Sequence, residues 1–165
     1  MENISVVLVA PQGPLNVGAV CRVMANFGAV DLRLVSPCAD YRGADARRMA
    51  LKAQPLLRSA RRYDDLDAAL ADRHLSIGAT ARQGKYRDAC LTPRQAAETV
   101  VKAGPEKRVA LVLGREDSGL TRGEIDRCDT LVTVPTAPGY PSLNLAQAAG
   151  ILLYELHLAG EQRSS

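Results

Sequence analysis

The sequence has few large aromatic side chains. Its 165 residues include no tryptophan, one phenylalanine (Phe27) and five scattered tyrosines. These counts argue against a protein that binds its ligand by aromatic stacking along a groove. The chain is nevertheless 47% hydrophobic, so leucine, isoleucine, valine and alanine must build its core. At this length we expect one domain with one well-buried core.

The sequence also lacks the patterns of metal, disulfide and membrane proteins. The four cysteines, Cys21, Cys38, Cys90 and Cys128, are widely spaced, and neither a C-x-x-C pair nor a nearby histidine completes a zinc set. We therefore expect four free thiols and no metal ion. No apolar run approaches the roughly 20 residues of a membrane span, and no basic and then apolar leader precedes Ile4. These absences predict a cytoplasmic protein.

Two common phosphate-binding motifs are missing. No G-x-G-x-x-G follows the first apolar run, and G-x-x-x-x-G-K-[ST] occurs nowhere. This excludes the usual dinucleotide turn and the P-loop. Any ligand of this chain must be bound by other loops.

The positive charges are clustered. The formal net charge of +3 is a weak bias, but seven basic residues fall within 21 residues of the chain and three more surround Gly84. This clustering indicates either a phosphate-binding surface or a solvated helix face, and both interpretations remain open. The first group is Arg42, Arg47, Arg48, Lys52, Arg58, Arg61 and Arg62, and the second is Arg82, Lys85 and Arg87.

Short apolar runs alternate with helical patterns along the whole chain. This alternation predicts an α/β fold with a mostly parallel sheet and helices on both faces. Strands are expected at 4–9, 31–35, near 63, and at 75–78, 109–113 and 130–134. Helices are expected from 17 to a left-handed cap at Gly28, and then at 44–57, 65–71, 92–104, 121–128 and 145–160.

Three polar segments follow predicted strands, at 16–22, 114–120 and 140–144. Ligands of α/β sheets bind beyond the carboxyl ends of strands, so these segments are candidate sites. In the first, Asn16 is the predicted N-cap of a helix. Arg22 lies on that helix opposite its apolar stripe, where it either meets an anion or is simply solvated.

The second segment places glycine and charge directly after the buried run 109–113. Gly114 allows close approach of a ligand, while Arg115 and Glu116 either bind phosphate and hydrogen-bonding groups or form a surface ion pair with each other. Such a pair is worth only about 0 to 1 kcal/mol, which favours the functional interpretation. In the third segment, Ser142 and Asn144 are N-cap candidates, with or without a further role.

A serine hydrolase is a weaker alternative. Ser118 follows a strand, but its sequence context lacks the G-x-S-x-G elbow, and no spacing links it to His74 or His157.

Taken in order, residues 16–22 (NVGAVCR), 113–120 (LGREDSGL) and 142–146 (SLNLA) resemble the three signature motifs of the SpoU branch of the SPOUT RNA 2′-O-methyltransferases. The resemblance spans nearly the whole chain. Residues 78–82 (GATAR) and the exact residues of the first motif are most similar to those of the TrmJ group. That group methylates a ribose of the tRNA anticodon loop, at position 32 in tRNA counting.

The resemblance implies a deep trefoil knot at the carboxyl end and a homodimer with its two sites at the interface. It also implies S-adenosylmethionine as the cofactor, bound by strand ends and small residues. The residues at the corresponding positions are Ala79, Thr80, Ala81, Gly114, Val134, Ser142 and Leu143.

The resemblance further assigns Arg22 to the motif arginine, with Asn16, Glu116 and Asn144 as the other catalytic residues. Because a guanidinium is a poor proton acceptor, we expect Arg22 to clamp a phosphate rather than to act as a base. The expected RNA-binding residues are Arg82, Lys85 and Arg115.

Residues 1–160 correspond to the methyltransferase domain of this group, and 161–165 to a short tail. TrmJ-type proteins usually continue into an extension that helps to hold tRNA, whereas this sequence ends a few residues after its last predicted helix. Either the sequence is part of a longer protein, or the domain relies on its own basic surface. Ribosomal RNA is an alternative substrate. A catalytically inactive RNA-binding member of the same fold is a second alternative, against which Asn16, Arg22, Glu116 and Asn144 argue.

Overall fold

The computed structural model describes residues 1–81 and 90–164. Seven parallel strands form one sheet in the order β3-β2-β1-β6-β4-β7-β5. The predicted RNA-binding residues Arg82 and Lys85 lie outside the described part of the chain. The strands are β1 (Ile4–Val9), β2 (Asp31–Val35), β3 (Arg61–Tyr63), β4 (Leu75–Ala79), β5 (Cys90–Leu91), β6 (Val109–Leu113) and β7 (Thr130–Val132).

The described residues form seven α-helices, of which the first six lie between strands in the sequence and the last follows β7. They are α1 (Pro14–Phe27), α2 (Ala44–Ala50), α3 (Gln54–Ser59), α4 (Leu66–Leu70), α5 (Pro93–Ala103), α6 (Arg122–Asp126) and α7 (Leu145–Ser164). A 3-10 turn over Leu51–Ala53 separates α2 from α3. Residues 161–164 thus continue the last helix.

Alternate residues of the central strands pack on opposite faces of the sheet, as the two-residue period of a strand requires. In β1, Val6 and Leu8 contact the core under α1, α2, α3, α5 and α7, whereas Val7 and Val9 contact the core under α4 and α6. Because both faces are covered, the strands read as continuous apolar runs. The predicted α/β fold with a parallel sheet and helices on both faces is confirmed.

The order of the strands creates a crevice near the middle of the sheet. From β1 the chain runs outward through β2 to β3, and then returns to β4 on the far side of β6. Ligands of such sheets bind where the strand order reverses, beyond the carboxyl ends of the strands. Here the ends of β1, β6, β4 and β7 are neighbours at that edge.

Helix α1 begins three residues before its predicted start. Gly13 is the N-cap and Pro14 occupies the first turn, a position where proline loses no hydrogen bond because its missing N–H has no helical partner. The prediction of Asn16 as the N-cap is therefore wrong, and its side chain is available to another partner. The left-handed cap at Gly28 is confirmed, with φ 79°.

Other elements also differ from the sequence prediction, most clearly at three places. The helical pattern at 44–57 is interrupted at Leu51, which adopts a left-handed φ of 51°. Strand β7 ends at Val132, before the predicted 134, and the two-residue strand β5 carries no periodic signal in the sequence. The capping boxes at the starts of α5 and α6 are as predicted.

One cation is buried between the sheet and α4. Arg33 is 1% exposed, and its guanidinium donates to Asp31, to Asp72 and to the Ala69 carbonyl oxygen. The hydrogen bonds from Arg33 and Arg73 hold the pKa of Asp72 well below its usual value. This network fastens α4 to β2 and lies outside the crevice.

Helices α1 and α2 are in contact at Gly18. A Cβ at this position would lie 2.2 Å from the Ala46 carbonyl oxygen. Gly18→Ala must therefore move α2, and we expect the free energy of unfolding to fall by about 1–3 kcal/mol. Denaturant titration measures this loss in the free energy of unfolding. Gly160→Ala, at a helical glycine with no atom within 4 Å of the added Cβ, is the control and should not destabilise. Equal stability of both variants would contradict the close packing.

Candidate functional site

A cavity of about 110 Å³ that opens to solvent lies at the carboxyl edge of the sheet. The ends of β4, β6 and β7 form its floor, and the amino-terminal half of α7 forms one wall. The lining residues are Ala79, Thr80, Ala81, Leu113, Gly114, Arg115, Glu116, Gly119, Val132, Thr133, Val134, Pro141, Leu143, Leu145, Ala148 and Leu152.

Six of the seven predicted cofactor residues line this cavity. Ser142 does not, and its side chain is exposed in the loop before α7. The α7 residues Leu145, Ala148 and Leu152 were missed, because their helical spacing marks only an apolar face and not what that face covers. Most of the lining residues are small or apolar, and the polar side chains among them belong to Thr80, Arg115, Glu116 and Thr133.

The close approach of the backbone at Gly119 requires a glycine at position 114. A Cβ here would lie 2.2 Å from the backbone carbon of Gly119. The loop after β6 folds back over the strand end, and Arg115 exchanges two backbone hydrogen bonds with Gly119. Gly114 thus permits this return as well as lining the cavity.

Glu116 links the loop after β6 to the loop before α1. Its carboxylate accepts hydrogen bonds from the Gln12 N–H at 2.8 Å, from the Gly13 N–H at 2.8 Å and from Asn16 Nδ2 at 2.9 Å. Burial raises the pKa of Glu116, but these hydrogen bonds outweigh burial and hold the pKa below its usual range. Glu116 therefore stays ionised, and its lone pairs serve the loop rather than proton transfer.

Arg115 pairs with a partner that the sequence did not indicate. Its guanidinium makes a two-pronged ion pair with Glu124, with Nη1 to Oε1 at 2.8 Å and Nη2 to Oε2 at 3.2 Å. Glu124 also accepts from the Thr121 N–H in the capping box of α6. Arg115 and Glu116 thus do not pair with each other, contrary to the surface-pair alternative. The capping box was visible in the sequence, but the second role of Glu124 was not.

Asn144 caps α7. Its Oδ1 accepts from the Ala146 N–H at 2.9 Å and from the Gln147 N–H at 3.4 Å. The predicted cap is confirmed. The side chain lies outside the lining of the cavity but next to Leu143 and Leu145, which belong to it.

Arg22 lies on the exposed side of α1, as predicted. Within the described residues its guanidinium makes no ion pair or hydrogen bond, and it does not line the cavity. Asn16, one and a half turns earlier on the same helix, is held by Glu116. The Glu116 contact therefore fixes the helix that carries Arg22 against the cavity.

An apolar groove between α1 and α7 adjoins the cavity. It contains Val23 and Phe27 of α1 and two half-exposed residues of α7, Ile151 (38%) and Tyr154 (48%). Leu143 borders both the groove and the cavity. The groove therefore extends from Val23, which follows Arg22 in α1, to Leu143 in the wall of the cavity.

Other reaction types find no support in the described part of the chain. His74 accepts from the Arg108 N–H next to the amino end of β4, and His157 lies near Asn3 and Ile4 at the amino end of β1. Both histidines are therefore at the opposite edge of the sheet from Ser118, which follows β6, and this excludes a serine triad. All four cysteines are free thiols, as predicted, and burial raises the pKa of Cys21 and of Cys128 to about 12. The described residues hold no metal-binding group, and none of their helices meets the length and apolarity of a membrane span.

Comparison with known proteins identifies the family. The SpoU rRNA methylase family matches residues 3–154. The chain belongs to the SpoU methylase family. It is 37% identical to the tRNA (cytidine-2′-O-)-methyltransferase TrmJ of Methanocaldococcus jannaschii, over 93% of this chain and 67% of that protein. It is 38% identical to the tRNA (cytidine/uridine/adenosine-2′-O-)-methyltransferase TrmJ of Pseudomonas aeruginosa, over 96% of this chain and 62% of that protein.

Solved structures of SpoU relatives have the same fold. A probable methylase family protein from Haemophilus influenzae superposes with a TM-score of 0.93 at 34% identity, covering 99% of this chain and 68% of that one. TrmJ from Z. mobilis superposes with a TM-score of 0.87 at 35% identity, covering 94% and 69%. The present chain spans about two thirds of the length of the curated relatives that it matches.

The Glu116 contact is directly testable. Glu116→Gln replaces an ionised acceptor by an amide whose NH₂ group faces other donors. We expect the free energy of unfolding to fall by about 1–3 kcal/mol, because hydrogen bonds to a charged group are lost. Amide hydrogen exchange at Gln12 and Gly13 should accelerate by more than the global loss of stability explains.

Glu98 of α5 is exposed and makes no ion pair within the described residues, so it provides the matched control. Glu98→Gln should change neither the stability nor the exchange of these amides. Unchanged exchange at Gln12 and Gly13 in Glu116→Gln would show that the carboxylate does not hold the loop.

Proposed function

We propose that this protein transfers a methyl group from S-adenosylmethionine to a ribose 2′-hydroxyl of tRNA. The observation that carries the proposal is the cavity at the carboxyl edge of the sheet, which adjoins Glu116 and the α1 loop in a chain of the SpoU family. The TrmJ relatives bear the name of this reaction.

The cavity suits S-adenosylmethionine. Small side chains at Ala79 and Ala81 and the lack of a side chain at Gly114 leave main-chain N–H and C=O groups for the polar edge of an adenine. Leu143 and Val134 supply apolar contact. When bound, this cofactor supplies a methyl group activated by a positive sulfur, so the chemistry requires no metal ion.

Arg22 is proposed to hold the phosphate next to the reacting ribose. A guanidinium is protonated at physiological pH and cannot take the 2′-hydroxyl proton, but it binds a phosphate in a two-pronged manner. Arg22 is exposed and makes no ion pair in the described part of the chain, so its guanidinium N–H groups are available to a phosphate. Proton removal is then assigned to the substrate phosphate or to water.

Asn16 and Glu116 act as positioning residues in this scheme. They fix the amino-terminal half of α1, and thereby Arg22, relative to the cavity. Asn144 fixes the start of α7, which forms the wall of the cavity. Alignment of reacting groups supplies up to about 7–11 kcal/mol in favourable systems, so small displacements of these elements should be costly.

We further propose a homodimer with a deep trefoil knot at the carboxyl end of each chain, as the family resemblance implies. The groove between α1 and α7 supports the dimer, because it exposes apolar side chains such as Ile151 and Tyr154. Since Leu143 belongs to both groove and cavity, a second copy seated there would border on the cavity and on Arg22.

The proposed substrate position is the ribose at position 32 of the tRNA anticodon loop, in the cytoplasm, with Arg82, Lys85 and Arg115 as further RNA contacts. For Arg115, the pairing with Glu124 means that it must exchange or share its partner to do so. Mapping 2′-O-methyl groups in tRNA and rRNA of a strain lacking the protein distinguishes tRNA from the alternative, rRNA. Cofactor binding without transfer to any bulk RNA would instead indicate an inactive RNA-binding member of the fold.

Substitution of Arg22 tests its role. Arg22→Lys keeps the positive charge but loses the paired guanidinium N–H donors, and Arg22→Ala loses both the charge and the donors. Charge-assisted hydrogen bonds are worth about 1.5–3 kcal/mol, so single-turnover methyl transfer at saturating tRNA should fall by about 10-fold or more in Arg22→Lys. A larger fall is expected in Arg22→Ala.

Arg122→Ala, on the exposed surface of α6, is the control and should transfer methyl at the wild-type rate. Activity of Arg22→Ala within a few-fold of the wild type would exclude an essential role for Arg22. A near-normal rate of Arg22→Lys alone would exclude the two-pronged clamp.

A further inference from the structure

The net positive charge of the chain is concentrated in one segment. Residues 41–63 contain seven cations and one carboxylate, Asp45, whereas the whole chain has a formal net charge of +3. The remainder of the chain is therefore net acidic. This segment folds as α2, the 3-10 turn, α3 and β3, on one side of the sheet.

Five of the seven cations lack a carboxylate partner within the described residues. Arg48 pairs with Asp45 at 2.8 Å, and Arg61 pairs with Asp31 at 3.4 Å. The others are all exposed and form what we call the basic strip: Arg42, Arg47, Lys52, Arg58 and Arg62. Arg42 and Arg47 donate only to main-chain carbonyl oxygens, so their charge is not neutralised.

The basic strip begins next to the proposed site. Helix α2 contacts α1 where Gly18 approaches the Ala46 carbonyl oxygen. Arg22 follows Gly18 by four residues, so it lies one turn further along the same face of α1. Arg47 is the neighbour of Ala46 on α2. Phosphates bound along the strip would therefore continue towards a phosphate held by Arg22.

A strained, exposed leucine lies within the strip. Leu51 adopts φ 51° and is 52% exposed. A left-handed backbone is costly for a leucine, and burial of its side chain does not compensate for it here. Backbone outliers of this kind concentrate at functional surfaces. Leu51 separates α2 from α3 and precedes Lys52, so it shapes the middle of the strip.

We propose that the basic strip is the surface on which the phosphate backbone of a structured RNA docks. Four of its five cations are arginines, whose guanidinium forks fit phosphate oxygens. This inference deepens the proposed function and rests on it for the identity of the RNA as the methylated substrate. Docking along the strip delivers a ribose to Arg22 and the cavity.

The test uses the full chain and fluorescently labelled unfractionated tRNA, with anisotropy titrations at several salt concentrations. Arg47→Glu with Lys52→Glu should weaken binding by roughly tenfold or more at ~50 mM salt. Each lost phosphate contact reduces the slope of log affinity against log salt by about 0.7–0.9, so the slope should shrink by about 1.4–1.8.

The matched control is Lys102→Glu with Lys107→Glu. It makes the same change in net charge with exposed lysines at the amino edge of the sheet, and its affinity and slope should stay close to the wild type. Cofactor affinity, measured by calorimetry, should be unchanged in both double variants. If circular dichroism shows that the first double variant is unfolded, Arg58→Glu with Arg62→Glu replaces it under the same criteria.

Equal losses in the strip and control variants, or no loss in either, would overturn the proposal. So would a wild-type protein that does not bind tRNA. A wild type that binds tRNA through the strip but transfers no methyl would overturn the proposed function while leaving the docking surface supported.

Discussion

The Glu116 carboxylate joins two loops that are about a hundred residues apart in the sequence, and the arrangement of the site depends on it. Three donors from Gln12, Gly13 and Asn16 converge on it. Because the hydrogen bonds hold its pKa low, the contact persists across physiological pH. It holds the amino-terminal end of α1 against the loop after β6, which lines the cavity. The face of α1 that carries Arg22 is thereby positioned relative to the cavity.

The cavity itself follows from the parallel sheet. Parallel strands end at the same edge, so β4, β6 and β7 deliver their terminal main-chain groups to one place. Gly114 lets the loop after β6 return close to the strand, and the Arg115–Glu124 pair holds that loop to α6. A site built from main chain and small side chains needs no aromatic platform. This agrees with a sequence that has almost none to offer.

Features that depend on residues close together in the sequence were predictable, whereas contacts between residues distant in the sequence were not. The buried runs, the cap at Gly28 and the capping boxes follow from local chemistry. The start of α1 was misplaced because Asn16 is a favoured N-cap, whereas its actual partner, Glu116, is distant in sequence. The pairing of Arg115 with Glu124 and the break at Leu51 likewise depend on packing between elements. Most candidate site residues were found through motifs, while the strand order that assembles them was not.

Nuclear magnetic resonance shows directly whether the cavity at the carboxyl edge binds the cofactor. Isotope-labelled protein is titrated with S-adenosylhomocysteine, the demethylated cofactor. If the cofactor binds there, the backbone amide signals of the lining residues 79–81, 113–116, 132–134, 143 and 145 will shift. The groove near Val100 and Leu156, at the amino edge of the sheet, should remain silent. Shifts confined to that groove, or no shifts at saturating ligand, would show that the cavity at the carboxyl edge does not bind the cofactor.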